Sequence, residues 1–177
     1  YAIGAEYIVC GHNSPESLDL LRDYEPKIGI IAGARILKRP IIEAFKVGII
    51  NLHPGLLPKA RGLDAMLWSI HDDLPLGVTS HLIDQYVDAG RLLEQRTIEI
   101  FADDTILDIS QRLADTELEV IASSIERSIQ PDLMALSTQE PSRGKMPPEL
   151  ERKVVHDLFV PYRDRWQAIT KQRNEQE

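Results

Sequence analysis

The sequence has a single cysteine, Cys10, among its 177 residues. One thiol can form neither a disulfide within the chain nor a cysteine-based zinc site, so we expect the fold to be held by its hydrophobic core. No apolar run approaches the roughly 20 residues that a membrane-spanning helix needs. The sequence therefore predicts no membrane partner, and the solitary thiol is typical of a cytoplasmic protein.

The chain also has fewer basic than acidic residues. The chain has 20 lysines and arginines against 28 aspartates and glutamates, which gives a formal net charge of −8. Proteins that bind nucleic acids usually carry an excess of basic residues that neutralises phosphates. The composition therefore argues against a nucleic-acid partner. With 43% apolar residues the chain can bury the core of one domain.

The pattern of apolar residues predicts strands and helices in alternation. Continuous apolar runs at 27–33 and 47–53 are typical of strands that are buried on both faces, which favours a parallel sheet. The remaining predicted elements are strands at 77–83 and 92–100, a helix capped by Ser14, short helices at 40–45 and 63–71, and a long helix at 105–129. We expect an α/β fold with a mostly parallel sheet and helices on both faces.

The C-terminal part of the chain differs from what precedes it. Pro131 ends the long helix, residues 141–144 resemble a linker, and a helix is predicted from Pro147 to about Tyr162. We therefore divide the chain into a domain at 1–135 and a linker with a helical extension at 136–177. The extension carries apolar side chains that would pack on the domain or on a partner, and a homodimer through this helix is one expectation.

Two polar motifs follow predicted strands. In the first, Asn51 and His53 are two residues apart, so both side chains lie on one face at the end of an apolar strand. Ligands bind at strand ends in open α/β sheets. A lone Asn-x-His could equally be a hydrogen-bonded strand end. In the second, Asp84 and Asp88 follow the strand at 77–83, where each could be an ordinary turn residue.

Together the two motifs resemble a known family. Residues 51–62 (NLHPGLLPKARG) and 77–90 (GVTSHLIDQYVDAG) are similar to two segments of the folate-dependent formyltransferases, in order and at the usual separation. The family includes glycinamide ribonucleotide, methionyl-tRNA and sugar-nucleotide N-formyltransferases. The resemblance covers roughly residues 7–130 and departs at Gly55, where most members have Ser. It implies a Rossmann-like formyltransferase fold whose first strand and helix would precede Tyr1.

The resemblance also implies an activity and a catalytic set. The catalytic Asn, His and Asp of the family fall on Asn51, His53 and Asp88, and the formyl donor would be 10-formyltetrahydrofolate, with no metal. An amide N–H and an imidazole suit the oxyanion of a tetrahedral intermediate, and a carboxylate can take a proton from the attacking amine. His81 is expected to position these groups rather than to react.

Two ligand-binding regions carry over by the same resemblance. The pterin pocket would be formed by Arg35, Ile36, Leu37, Leu82, Ile83, Asp84 and Val87. The residues that could meet the acceptor are Pro54, Lys59, Arg61 and Glu117. For Ile36, Leu37 and Ile83 the alternative is ordinary core packing, and for Lys59, Arg61 and Glu117 it is a solvated surface.

The sequence leaves the acceptor open. We expect a small amine, either phosphorylated or an amino-sugar nucleotide, because the tail lacks the basic domain of about a hundred residues that the resemblance implies for a methionyl-tRNA enzyme. The alternatives are a 10-formyltetrahydrofolate hydrolase, in which water replaces the amine, and a non-catalytic folate-binding module.

Overall fold

The sheet has four strands in the order β1 (Ile28–Ile31), β2 (Gly48–His53), β3 (Gly77–Leu82) and β4 (Arg91–Thr97). The structure is a computed structural model, and it describes residues 4–31, 36–86 and 88–174. β1 and β2 run parallel, with Ile28 opposite Gly48. β2 and β3 are antiparallel, as are β3 and β4, with a register irregularity between Ser80 and His81.

The α/β class is therefore confirmed, but this part of the sheet is mixed rather than mostly parallel. All six residues of β3 are buried, although Thr79, Ser80 and His81 are polar. Burial on both faces reports what covers a strand and not its direction. The loop at 83–90 returns the chain directly from β3 to β4, and so short a connection joins antiparallel neighbours.

The helices before β3 are short. α1 (Pro15–Tyr24) begins with Ser14 as its N-cap, whose side chain accepts a hydrogen bond from the Ser17 amide. α2 (Arg39–Ile42) and α3 (Ala65–His71) are shorter than the predicted ranges of 40–45 and 63–71. Asp64, before α3, has a φ of 51°. This left-handed backbone delays the start of the helix.

The predicted long helix is two helices. α4 (Ile106–Glu119) and α5 (Ile121–Ser128) meet at Val120, which ends one and precedes the other. The N-cap of α4 is Thr105, which forms a capping box with Asp108. The apolar spacing continued through Val120 because this residue is itself almost fully buried in the core. Periodicity alone does not reveal a break that keeps the same face buried.

The C-terminal helical tail is confirmed and is longer than predicted. It consists of α6 (Pro148–Lys153), a π-helical turn (Val154–Leu158) and α7 (Phe159–Asn174). Its buried side chains belong to the same core as those of the sheet, together with Met146 from the preceding segment; they are Val154, Phe159 and Tyr162. The Tyr162 hydroxyl donates to the Leu74 carbonyl, and the Trp166 indole donates to Asp73. None of the helices in the described parts of the chain is long and apolar enough to span a membrane.

Replacing Phe159 with Ala is expected to lower the free energy of unfolding of the whole chain by about 3–5 kcal/mol, since a buried aromatic ring leaves a cavity. Phe159 is 6% exposed and contacts the shared core. Chemical denaturation followed by both tryptophan fluorescence and circular dichroism measures the change. Val160→Ala, at an exposed neighbouring position, is the control. If residues 136–177 formed a separate unit, the main unfolding transition of Phe159→Ala would occur at the same denaturant concentration as in the native chain.

Candidate active site

The two sequence motifs meet at the ends of β2 and β3. Asn51 and His53 lie on β2, and Asp88 lies in the loop that follows β3. His53 Nδ1 is 3.5 Å from Asp88 Oδ1, and the two side chains are only 6% and 12% exposed. All three residues line one cavity of about 1270 Å³. The structure therefore brings together the three side chains that the resemblance assigns to catalysis.

The hydrogen bonds of His53 determine which of its nitrogens carry protons. Nε2 is 2.6 Å from the Ala60 carbonyl oxygen, which can only accept, so Nε2 carries a hydrogen. Nδ1 faces a carboxylate oxygen, which also accepts. With Asp88 ionised, this contact is attractive only when Nδ1 is protonated as well. The geometry therefore places the imidazole between a carbonyl and a carboxylate, two groups that can accept hydrogen bonds from it.

Asp88 is fixed through its other oxygen and through its backbone. Oδ2 accepts a hydrogen bond of 2.6 Å from the Gly62 amide, at the end of the loop that follows β2. The residue has a φ of 45°, in the left-handed region that Asp tolerates better than most side chains. Gly90 follows with a φ of 102°, and a Cβ there would lie 2.0 Å from the Leu82 carbonyl oxygen. The turn that presents Asp88 thus requires glycine two residues later.

His81 forms a hydrogen bond with Asn51. Its Nδ1 is 2.8 Å from the Ala89 carbonyl oxygen and therefore donates, which leaves Nε2 to accept from Asn51 Nδ2 at 3.1 Å. Burial is the largest cause that lowers the pKa of His81, partly offset by the Ala89 bond and by Asp88. A neutral imidazole is the form that can accept from the amide. Because the second N–H of Asn51 remains, this side chain has a donor to offer to a ligand.

Acidification should therefore destabilise the protein through His81. With its pKa lowered on folding, the unfolded chain takes up this proton first, so stability falls as the pH drops below the ordinary histidine range. The loss from one such group cannot exceed about 1.4 kcal/mol per pH unit. Melting temperatures measured between pH 7.5 and 5.5 should decline less steeply for His81→Gln than for the native chain. His156→Gln is the control, and equal slopes for all three proteins would contradict the assignment.

A second buried network holds the loop after β2. The Thr79 hydroxyl donates to the Gly55 carbonyl at 2.7 Å and accepts from the Leu57 amide at 3.0 Å. Gln95 Nε2 donates to the Leu57 carbonyl at 2.6 Å. At Gly55, a Cβ would lie 2.8–3.0 Å from Ala60 and from His53 Nε2. Glycine at this departure from the family pattern thus leaves room for the Ala60 carbonyl to reach His53.

One part of the cavity wall is apolar. Ile36 is 74% exposed, so it is not a core residue, and Leu37 and Ile83 line the same cavity. The Asn13 side chain fixes this wall because it donates to the Ile36 carbonyl and accepts from the Lys38 amide. Flat apolar surface of this kind suits a pterin ring, so these residues fit the expected folate.

The other residues assigned to the folate pocket fall in three places. Asp84 lines the cavity, and its carboxylate accepts from the Tyr86 amide. Leu82 is 8% exposed and packs in the hydrophobic core, because its position in β3 turns its side chain inward. Arg35 and Val87 lie outside the described residues.

The residues assigned to the acceptor also differ in where they lie. Pro54 and Glu117 line the cavity, and burial raises the pKa of the Glu117 carboxyl. Lys59 is exposed and is not part of the cavity wall among the residues that the structure describes. Arg61 is 6% exposed and donates to two backbone carbonyls, at 3.1 Å to Thr138 and 2.6 Å to Glu140. Neither the predicted anion contact nor the solvated alternative describes this guanidinium.

Sequence reasoning missed two parts of the wall. One is the start of α3 with the residues before it, and the other is the segment after Pro141; the residues concerned are Leu63, Asp64, Ala65, Met66, Leu67, Ser142, Arg143 and Gly144. The second part lies in the segment that the sequence analysis describes as a linker. No local sequence pattern indicates that a linker lines a site. In the described parts of the chain, no group of three or more His, Cys, Asp or Glu side chains is arranged to hold a metal ion.

The fold and the site first define a class: an α/β protein whose polar residues lie at strand ends beside a cavity, where ligands bind in such folds. Comparison with known proteins makes this specific. Residues 9–125 match the family model described as formyl transferase, which is well over half of the chain. The chain therefore belongs to the formyl transferase family.

Curated relatives and solved structures agree with that membership. The chain is 32% identical over 117 residues to a methionyl-tRNA formyltransferase of Caldanaerobacter subterraneus, a match over 65% of this chain and 38% of the relative. It is 28% identical over 141 residues to the enzyme of the same name from Chlorobium chlorochromatii, over 79% of this chain and 45% of the relative. The matched part of the chain thus spans less than half the length of these relatives.

Two solved structures share the fold. A formyltransferase from Anoxybacillus kamchatkensis, solved with UDP-4,6-dideoxy-4-formamido-L-AltNAc and tetrahydrofolate, superposes with a TM-score of 0.62 at 27% identity; the match covers 77% of this chain and 72% of that one. Glycinamide ribonucleotide transformylase 1 from Symbiobacterium toebii gives a TM-score of 0.58 at 26% identity, over 68% and 61% of the two chains. The predicted family is confirmed.

Proposed function

We propose that this protein transfers the formyl group of 10-formyltetrahydrofolate to the primary amine of a small acceptor. The observation that carries the proposal is that Asn51, His53 and Asp88 line one cavity with the exposed apolar side chain of Ile36. Polar groups for the reaction and an apolar surface for a pterin are thus available in one space.

Each polar side chain has a place in the reaction. The amine nitrogen attacks the formyl carbon, and the formyl oxygen becomes an oxyanion. The free N–H of Asn51 and the His53 imidazolium stabilise that charge. Asp88 accepts the proton that the amine loses, directly or through water, and its negative charge stabilises the His53 imidazolium. The bond from the formyl carbon to N10 then breaks, N10 takes a proton, and the products are a formamide and tetrahydrofolate.

The acceptor is proposed to be a small amine, either phosphorylated or an amino-sugar nucleotide. The A. kamchatkensis enzyme, whose structure contains a nucleotide-linked formamido sugar, is matched over 72% of its length at 27% identity. The net charge of −8 also opposes the binding of a tRNA. We propose that the protein acts in the cytoplasm, where its donor is expected.

One assay separates the alternatives. The full chain is incubated with 10-formyltetrahydrofolate alone and with glycinamide ribonucleotide, an amino-sugar nucleotide or methionyl-tRNA, and the release of tetrahydrofolate is followed. Release that depends on one of the two small amines is the expected result. Release without any amine would identify a hydrolase, and formylation of methionyl-tRNA alone would contradict the small acceptor. Binding of tetrahydrofolate without turnover by any amine would favour a folate-binding module.

A further inference from the structure

The segment 138–146, here called the strap, crosses the loop that follows β2 and is tied to it along its length. Besides the two carbonyls bound by Arg61, the strap joins the loop through its backbone: Arg143 N donates to the Arg61 carbonyl, and Leu63 N donates to the Arg143 carbonyl, each at 2.9 Å. The Trp68 indole donates to the Gly144 carbonyl, and the Met146 amide donates to Asp64. The strap is therefore part of the site and not a free linker.

Gly62 lies between the strap and Asp88. Its amide donates to Asp88 Oδ2 at 2.6 Å, while its α-carbon faces the strap so closely that a Cβ would lie 2.0 Å from the Arg143 carbonyl oxygen. Gly62 and Arg143 also form a parallel bridge. A displacement of the strap would consequently move the amide that holds the carboxylate.

We infer that Arg61 is a positioning residue for Asp88 and acts through the strap and Gly62. Its buried guanidinium binds the Thr138 and Glu140 carbonyls, which fixes the strap; the strap fixes Gly62, and the Gly62 amide fixes Asp88 Oδ2. The other carboxylate oxygen, Oδ1, then faces His53. The inference rests on the proposed function in that Asp88 takes part in the reaction.

The chemistry of arginine explains the residue type. Both carbonyls are bound by one guanidinium nitrogen, Nη1, whose two N–H groups have fixed directions in a rigid plane, whereas the lysine ammonium lies on a flexible stem. Thr138 and Glu140 are exposed, so carbonyls that lose the guanidinium would bond to water instead, and the strap would rearrange towards solvent. Arg61→Lys therefore keeps the charge but loosens the strap, and Arg61→Ala removes the anchor.

The first test measures the geometry without activity. In the full chain, hydrogen exchange of the Gly62 amide is followed by NMR. The native protein should protect this amide, and Arg61→Lys should lower its protection at least about tenfold, with β3 amides unchanged. Equal protection in both proteins would overturn the inference, whatever the activity. The control is Arg112→Lys, since Arg112 also binds a backbone carbonyl, that of Glu99, but lies on α4.

The second test measures turnover and binding separately. Arg61→Lys should lower kcat about tenfold or more while the Kd for tetrahydrofolate changes less than twofold, and Arg61→Ala should lower kcat further. Arg112→Lys should leave kcat within twofold. A fall in kcat matched by an equal rise in Kd, or a normal kcat in Arg61→Lys, would overturn the inference. If the native chain releases no tetrahydrofolate with any amine, the proposed function fails, and the exchange measurement still decides the role of Arg61.

Discussion

Asp88→Asn is expected to reduce turnover by about 10²–10⁴-fold while tetrahydrofolate still binds, since general base catalysis commonly contributes this much. The amide oxygen of Asn can still accept from Gly62, so the loop geometry is kept. It cannot take a proton, however, and it presents no negative charge to His53 Nδ1. The measurement is kcat with saturating donor and acceptor, together with the Kd for tetrahydrofolate.

Asp103→Asn is the matched control for this substitution, because Asp103 is exposed and lies before α4. It removes one negative charge without touching the cavity and should retain the native kcat within twofold. If Asp88→Asn kept the native kcat, His53 alone would accept the proton that the amine loses. A loss of tetrahydrofolate binding by Asp88→Asn would instead place Asp88 in the folate pocket.

Asn51→Ala should lower kcat by about 10²–10³-fold, which is the usual effect of removing one donor to a developing oxyanion. The substitution also leaves His81 Nε2 without the amide that it accepts from. Since His81 remains neutral and buried, we expect the sheet to stay intact. The change should appear in kcat and not in the Kd for tetrahydrofolate.

Gln111→Ala serves as the control for the loss of a side-chain amide. Gln111 is exposed on α4 and bonds to Asp115, so its removal should change kcat by less than twofold. Circular dichroism and thermal unfolding of both variants confirm that the fold is kept. Near-normal turnover of Asn51→Ala and Asp88→Asn together would contradict the assignment of the site.

The proximity of Asn51, His53 and Asp88 follows from local spacing, whereas their proposed roles came from the family resemblance. Asn51 and His53 share a face by the two-residue period of a strand, and Asp88 lies a fixed number of residues after the next strand. These spacings can be recognised in the sequence without knowledge of the fold. The exposed Ile36 was predictable only through the family resemblance, since an isoleucine in an apolar stretch is as often buried.

Arg61 shows what local reasoning could not supply. An arginine near a polar motif is compatible with an anion site, a solvated surface or a structural bond. Its partners, Thr138 and Glu140, lie 77 and 79 residues further along the chain. Nothing in the residues around Arg61 encodes so distant a contact.

The sequence by itself determined the α/β class, the family and the three polar residues at the strand ends. Apolar periodicity and motif spacing are properties of neighbouring residues, and they hold in any packing of the elements. Only the tertiary structure decided the antiparallel pairing of β3, the break at Val120 and the place of the strap beside Gly62. These features depend on which surfaces pack together. The packing is selected by the sum of many contacts between residues that are far apart in sequence. With a single cysteine the chain can form no internal disulfide, and its C-terminal helices are held by a core that they share with the sheet.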